Sequence, residues 1–219
     1  MPAASPAETE KRVAAEAAAQ LVDDGTKVGL GTGSTVAYLL PALAARELAI
    51  QCVATSPATE QHARELGIDV GPFEGIDRLD VAIDGTDQVT ADAWLIKGGG
   101  GAHFREKIVA AAADRFIVIG DSSKPVDALS PPVPLELSVF GLAATMREIG
   151  EVALRDVPES PDGNLIADYR GPVGDPAELA AWFASIPGIV EHGLFPPKLV
   201  SEVLIGRGES AERLELVRS

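Results

Sequence analysis

DVAIDGTDQVTADAWLIKGGGGAHFREK, residues 80–107, reads as a strand, an acidic turn, a second short strand, four glycines and a charged helix start. Val81, Ala82 and Ile83 form the apolar run expected of a parallel strand buried on both faces, and Gly85 marks the turn that ends it. Asp84 and Asp87 therefore sit at the carboxyl end of a strand, where open α/β sheets bind their ligands. Trp94, Leu95 and Ile96 lead to Lys97. Gly98 to Gly101 then leave a stretch of backbone without Cβ atoms, whose N–H groups can approach an anion closely. Four adjacent glycines cost chain entropy, which favours a ligand cradle, with a flexible loop as the alternative. Ala102 to Ala113 read as a helix.

Upstream, Glu8 to Leu21 read as an Ala-rich helix with Val13, Ala14, Ala17 and Leu21 at helical spacing and Gly25 beyond its end. Val28 to Gly31 form a strand, and Thr32, Gly33, Ser34 and Thr35 turn into a helix carrying Val36, Leu39, Leu40 and Leu43. Strand, glycine turn and helix N-terminus bring free N–H groups, hydroxyls and the positive end of the dipole together, which makes an anion site. The dinucleotide fingerprint fits poorly, because Ser34 stands where its third glycine belongs and no acidic residue follows at the required spacing. A nucleotide P-loop would need a Lys after Gly33. A small anion such as a sugar phosphate is the favoured guest, against a plain turn with no ligand.

Cys52 to Thr55 give a second strand. Pro57 to Leu66 give a helix capped by Ser56, Ile68 to Val70 a short strand, and Phe116 to Gly120 another. Alternating strands and helices imply right-handed crossovers and a doubly wound, mainly parallel Rossmann-like sheet. Pro131, Pro132 and Pro134 mark a domain crossing. Beyond it lie a strand at 133–137, a helix at 140–149, strands at 152–156 and 165–168, a helix at 176–186 opened by Asp175 and Glu178 as an acidic capping box, and a strand at 189–191. That β-α-β-β-α-β order is a smaller ferredoxin-like α+β domain. A last strand at 200–205 is open to returning to the first sheet. The expected division is 1–130 plus 206–219 for the first domain and 131–205 for the second.

Composition narrows the partners. The net charge of −15 on 219 residues disfavours nucleic acid and anionic membrane. An anionic substrate must then meet locally placed cations, and three of the six lysines, at 97, 107 and 124, fall in the motif stretches. The acid excess is also what adaptation to high internal salt would produce. No apolar run reaches spanning length, and nothing near Glu8 and Glu10 resembles a signal peptide. The single cysteine, Cys52, reads as a buried apolar residue in a reducing compartment, the cytoplasm. Three scattered histidines, 62, 103 and 192, give no metal-ligand spacing, so neither metal nor cofactor is expected.

The residues alone leave two ambiguities in the central stretch. Asp84 and Asp87 could be an ordinary turn pair bonding its own backbone. On a helical wheel Phe104, Ile108 and Ala112 form one stripe, and Glu106 projects roughly 160° from its middle, which by itself describes a solvated glutamate.

GLGTGST at 29–35, DGTD at 84–87, KGGGGAHFREKIV at 97–109 and DSSK at 121–124 together resemble ribose-5-phosphate isomerases of the A type, in order over nearly the whole chain. The resemblance implies interconversion of ribose 5-phosphate and ribulose 5-phosphate in the pentose phosphate pathway, without metal or redox cofactor, in a homodimer or homotetramer. It implies Glu106 as the base that moves the proton, Asp84 and Asp87 as the groups handling hydroxyls and ring opening, and Lys97 as the oxyanion's partner. It further implies a substrate site lined by Thr32, Gly33, Ser34 and Thr35, by Asp84, Gly85, Thr86 and Asp87, by Lys97 with Gly98, Gly99 and Gly100, and by Lys124, with Lys11 near the phosphate. Carboxylates for proton transfer and an ammonium beside a developing enediolate are what this isomerisation needs. Thr86, Gln88, His103 and Phe104 depart from the usual pattern of the family.

Overall fold

A computed structural model describes residues 5–214 and 216. Helix α1 (Pro6–Ala19) starts at a reciprocal capping box, in which the Ser5 hydroxyl accepts from Glu8 N and the Glu8 carboxylate accepts from Ser5 N. Its small buried side chains let it lie close on the sheet. At Gly206 an added Cβ would sit 1.9 Å from the Glu10 carbonyl oxygen, so only glycine admits the helix there.

Then come β1 (Lys27–Leu30), α2 (Val36–Ala44), β2 (Gln51–Ala54), α3 (Pro57–Glu65), β3 (Leu79–Gly85), β4 (Gln88–Val89), β5 (Leu95–Ile96), α4 (His103–Ala112) and β6 (Ala113–Gly120). The second half holds β7 (Val133–Leu137), α5 (Leu142–Ile149), β8 (Val152–Leu154), β9 (Leu165–Tyr169), α6 (Pro176–Ser185), β10 (Ile189–His192), β11 (Leu194–Phe195), β12 (Glu202–Arg207) and β13 (Ser210–Arg213).

The large sheet runs β13-β12-β6-β3-β1-β2, parallel throughout except for the terminal hairpin of β12 and β13. Its middle strands are covered on both faces, as parallel strands require. Ile117 and Ile119 join Val81 and Ile83 in the core under α1 and α2, while Phe116 and Val118 join Ala82, Val109 and Ala110 on the other side. Along the chain the parallel strands are ordered 2-1-3-4-5, so the winding reverses between β1 and β3, and the crevice beyond their carboxyl ends is the place for a ligand.

The smaller sheet, β10-β7-β9-β8, is antiparallel throughout and carries α5 and α6, the split β-α-β arrangement expected. A third ladder, β11-β5-β4, links the two parts and anchors Lys97, whose N–H donates to Gly193 O.

Several expectations shift. No strand forms at 68–70. The segment meets the edge strand β2 at Cys52 alone, which donates to Asp69 O, accepts from Gly71 N and makes one isolated parallel bridge with Val70. The last apolar strand lies at 202–207 and pairs with β6, so a domain limit at 205/206 would cut through it, and the return to the large sheet comes after β11. Asp175 does cap α6, accepting from Ala177 N and Glu178 N, but the reciprocal half of the box is absent from the described contacts.

Candidate active site

At the β1/β3 reversal the chain leaves no spare volume. Gly31 N donates to Ile83 O, and a Cβ on Gly31 would fall 2.0 Å from Asp84 Cγ. The Asp84 carboxylate fills that space. Its Oδ1 accepts from Thr32 N (3.1 Å) and Gly85 N (2.7 Å), tying the glycine turn after β1 to the end of β3. Its Oδ2 lies 2.9 Å from Lys97 Nζ, which also stands 3.2 Å from Glu106 Oε2 and donates to Gly85 O. The ammonium thus makes one hydrogen bond, to the Gly85 carbonyl, and two ion-pair contacts, to the buried carboxylates. Asp84, Lys97 and Glu106 are each at most 4% exposed.

This corrects the wheel. The buried side of α4 is His103, Glu106, Val109 and Ala110, while Ile108 is 42% exposed. A wheel assumes that what is buried is apolar, whereas a carboxylate paired with a buried ammonium can occupy the inner face as well. The later turn of α4 covers the sheet, and its first turn holds Glu106 over Lys97.

Charge and burial then set the protonation. Burial raises the Asp84 carboxyl above its ordinary value, with Lys97 and two backbone N–H groups pulling the other way. Burial lowers Lys97, but Asp84 and Glu106 outweigh it and hold the ammonium above its usual value. Glu106 is pushed up to about 8, first by burial and then by the negative Asp84, with Lys97 opposing. The pocket holds two acids and one cation, and Glu106 lacks the backbone donors that serve Asp84. The shared extra proton therefore rests on Glu106 near neutrality.

Above this floor lies a cleft of about 260 Å³ lined by Thr32, Gly33, Ser34, Thr35, Gly85, Thr86, Asp87, Lys97, Gly98, Gly99, Gly100, Glu106 and Lys124. The residues expected at the site thus converge. Asp84 lies beneath the lining, and Lys11 reaches the first loop from outside, its Nζ 3.0 Å from Ser34 Oγ. Asp87 is exposed and accepts from Gly99 N (2.8 Å). The Thr32 hydroxyl belongs to a cluster with Thr55 (2.8 Å), Ser56 (2.9 Å) and Thr59 (3.2 Å), which holds the first loop against the start of α3.

The departures from the family pattern have local reasons. The buried Thr86 hydroxyl reaches Gln88 O and Ile96 O, and Gln88 exchanges hydrogen bonds with Ser130. His103 is fully buried behind the glycine loop, and a Cβ on Gly98 (φ 101°) would lie 2.6 Å from its Nδ1. Burial, with the Lys107 ammonium, drops its pKa to about 3 and keeps it neutral. His62 is exposed on α3, and Cys52 is buried with its thiol pushed up to about 12 by burial.

Two charged side chains that touch the loops were not legible as site residues. Glu10 accepts from Ser122 N, Ser122 Oγ and Gly208 N, fixing the loop that carries Lys124 to α1. Arg155, after β8, reaches the carbonyls of Gly98 and Gly99. A lone charge in an amphipathic helix or after a short strand has no local pattern that reveals such a contact.

Known proteins share this sequence and this fold. A family model described as ribose 5-phosphate isomerase A (phosphoriboisomerase A) matches residues 51–210. The ribose-5-phosphate isomerase A of Caulobacter vibrioides is 42% identical over 225 residues, covering 95% of this chain and 99% of that one. That of Methanosarcina acetivorans is also 42% identical, with 94% and 93% covered. The crystal structure of ribose 5 phosphate isomerase A from Neisseria gonorrhoeae superposes with a TM-score of 0.89 at 33% identity, covering 93% of this chain and 95% of that one. A D-ribose-5-phosphate isomerase in complex with phospho-erythronic acid also gives 0.89 at 33% identity, with 96% and 100% covered. Motifs, fold and near end-to-end similarity agree: the chain belongs to the ribose 5-phosphate isomerase A family.

Proposed function

We propose that the β1/β3 cleft interconverts D-ribose 5-phosphate and D-ribulose 5-phosphate with Glu106 as the travelling base. One observation carries this assignment: the Lys97 ammonium lies between Asp84 and Glu106 on the floor of a cleft walled by two glycine turns. Ionised Glu106 takes the proton from C2 of the open-chain aldose, an enediolate forms across C1 and C2, and the same carboxyl returns the proton to C1. Lys97 faces the developing negative charge. Asp87, the solvent-facing carboxylate of the turn, handles the hydroxyl protons and ring opening. Asp84 has no open face on the cleft, and we assign it to holding Lys97 and the Thr32 turn in place. Thr32 to Thr35 and Lys124 take the phosphorylated end, and Lys11 supports Ser34 from behind. Phospho-erythronic acid, the ligand of the solved relative, joins a carboxylate to a phosphate and fits the same demand for anion donors at both ends.

The pH profile follows. Glu106 acts as a base only when ionised, so kcat/KM is expected to rise with pH along a single-proton limb and level off above about 8. For stability the sign is opposite. The folded state raises this carboxyl from 4.5 to about 8, so its contribution is fully present below 4.5 and is lost as pH climbs through about 8. A kcat/KM already flat from pH 5 to 9 would remove Glu106 from the rate law.

We place the enzyme in the pentose phosphate pathway of the cytoplasm, as a homodimer or homotetramer joined through the small domain, where Val139 and Phe140 are 55% and 92% exposed. Among the described residues no helix is long and apolar enough to cross a membrane. We attribute the net charge of −15 to a high-salt interior. Melting temperature is then expected to rise with molar potassium chloride, and a steady fall contradicts that habitat.

A further inference from the structure

The second glycine turn is gripped from outside by a residue of the other sheet. Arg155 Nη1 donates to Gly98 O (3.0 Å) and Gly99 O (2.9 Å), while its Nε and Nη2 hold Asp168 as a two-point pair (3.0 and 2.6 Å). Both side chains are less than one-fifth exposed. The C=O and N–H of a trans peptide point in opposite directions. In the peptide joining Gly98 and Gly99, the oxygen is held by Arg155 and the N–H by Asp87 Oδ2 on the cleft side. The next peptide presents its oxygen to Arg155 as well, so the Gly100 N–H is turned away from Arg155, toward the cleft that Gly100 lines.

We propose that Arg155, braced by Asp168, is a positioning residue for the isomerisation: it fixes the orientation of the 98–99 and 99–100 peptides so that the Gly99 N–H holds the Asp87 carboxylate at the cleft and the Gly100 N–H faces the substrate. Glycine makes this necessary, because a peptide between two glycines can turn over with no side chain to resist it. A guanidinium on the two oxygens also strengthens the opposite N–H groups as donors. The small domain thereby contributes to chemistry it does not touch. This inference rests on the reading of the cleft given above.

The test uses Arg155→Leu, Asp168→Asn and the double variant in the full-length protein, with ribose 5-phosphate as substrate and phospho-erythronic acid as probe. Arg155→Leu is expected to lower kcat/KM roughly 10- to 100-fold, the scale of a displaced binding group, and to weaken the probe in parallel. The acid limb near pH 8 stays in place, because the Asp84, Lys97 and Glu106 cluster is untouched. Asp168→Asn gives part of the same loss, and the double variant loses no more than Arg155→Leu alone, since Asp168 acts only through the guanidinium. A purely structural pair would instead lower the melting temperature and leave kcat/KM per folded molecule and probe affinity unchanged, which overturns the proposal. Wild-type kinetics in Arg155→Leu beside a dead Glu106→Gln enzyme overturns it alone. Full turnover in Glu106→Gln overturns the cleft reading instead.

Discussion

Glu106→Gln is expected to lower kcat by roughly 10²- to 10⁴-fold, the usual contribution of a positioned base, while phospho-erythronic acid binds nearly as before. Gln keeps the length of the side chain and an oxygen for Lys97, but its amide cannot accept a proton from carbon. The change asks little of the fold. At neutral pH the carboxyl is largely protonated, pushed up to about 8 by burial and by Asp84, so a neutral amide replaces a mostly neutral acid. The variant is then expected to lack the loss of stability that the wild type shows between about pH 4.5 and 8, where this carboxyl is ionised in the unfolded chain but still protonated in the folded one. Turnover within a few-fold of wild type would dismiss Glu106 as the base, whatever its burial.

Lys97→Met is expected to damage fold and chemistry together. Methionine fills the space without the charge and leaves Asp84 and Glu106, each at most 4% exposed, facing one another without a cation. Removing one partner of a buried ion pair costs roughly 3–5 kcal/mol, and at about 2–4 °C per kcal/mol for a chain of this length the melting temperature falls on the order of 10 °C. Both carboxyls then sit far above their unfolded values, so the deficit is small at pH 5, where they are protonated, and grows as pH rises. Turnover falls on the order of 10²- to 10³-fold through loss of charge stabilisation. Should the single variant fail to fold, Lys97→Met with Glu106→Gln removes one of the two stranded acids and is expected to recover part of the lost stability. A melting temperature at pH 8 equal to wild type in the single variant contradicts the buried triad.

What the sequence disclosed was whatever a few neighbouring residues decide. The Gly-Thr-Gly-Ser-Thr turn, the Asp-Gly-Thr-Asp corner and the four glycines are loops whose geometry follows from their own composition, and all three open onto one cleft. Ser56 and Pro57 announced the start of α3 in the same way, with the Ser56 hydroxyl accepting from Thr59 N. Partners brought together by the fold stayed hidden. Glu106 reads as solvated because periodicity cannot foresee a lysine nine positions away in sequence waiting beneath it. The stretch at 68–70 has the composition of a strand but meets the β2 edge at Cys52 alone, too short a contact to form a ladder. Arg155 and Glu10 reach loops 56 and 112 residues away by sequence, to Gly99 and Ser122, distances over which no local pattern survives.

The overlap between the imagined methyl of residue 31 and the Asp84 carboxylate ties two positions into one hereditary unit. A lineage drifting toward alanine at 31 must first shorten residue 84, and doing so strips Lys97 of a counter-ion before any gain in chain rigidity arrives. Neither step is open alone, so this corner of the molecule is closed to gradual change even though one of its two residues has no side chain at all.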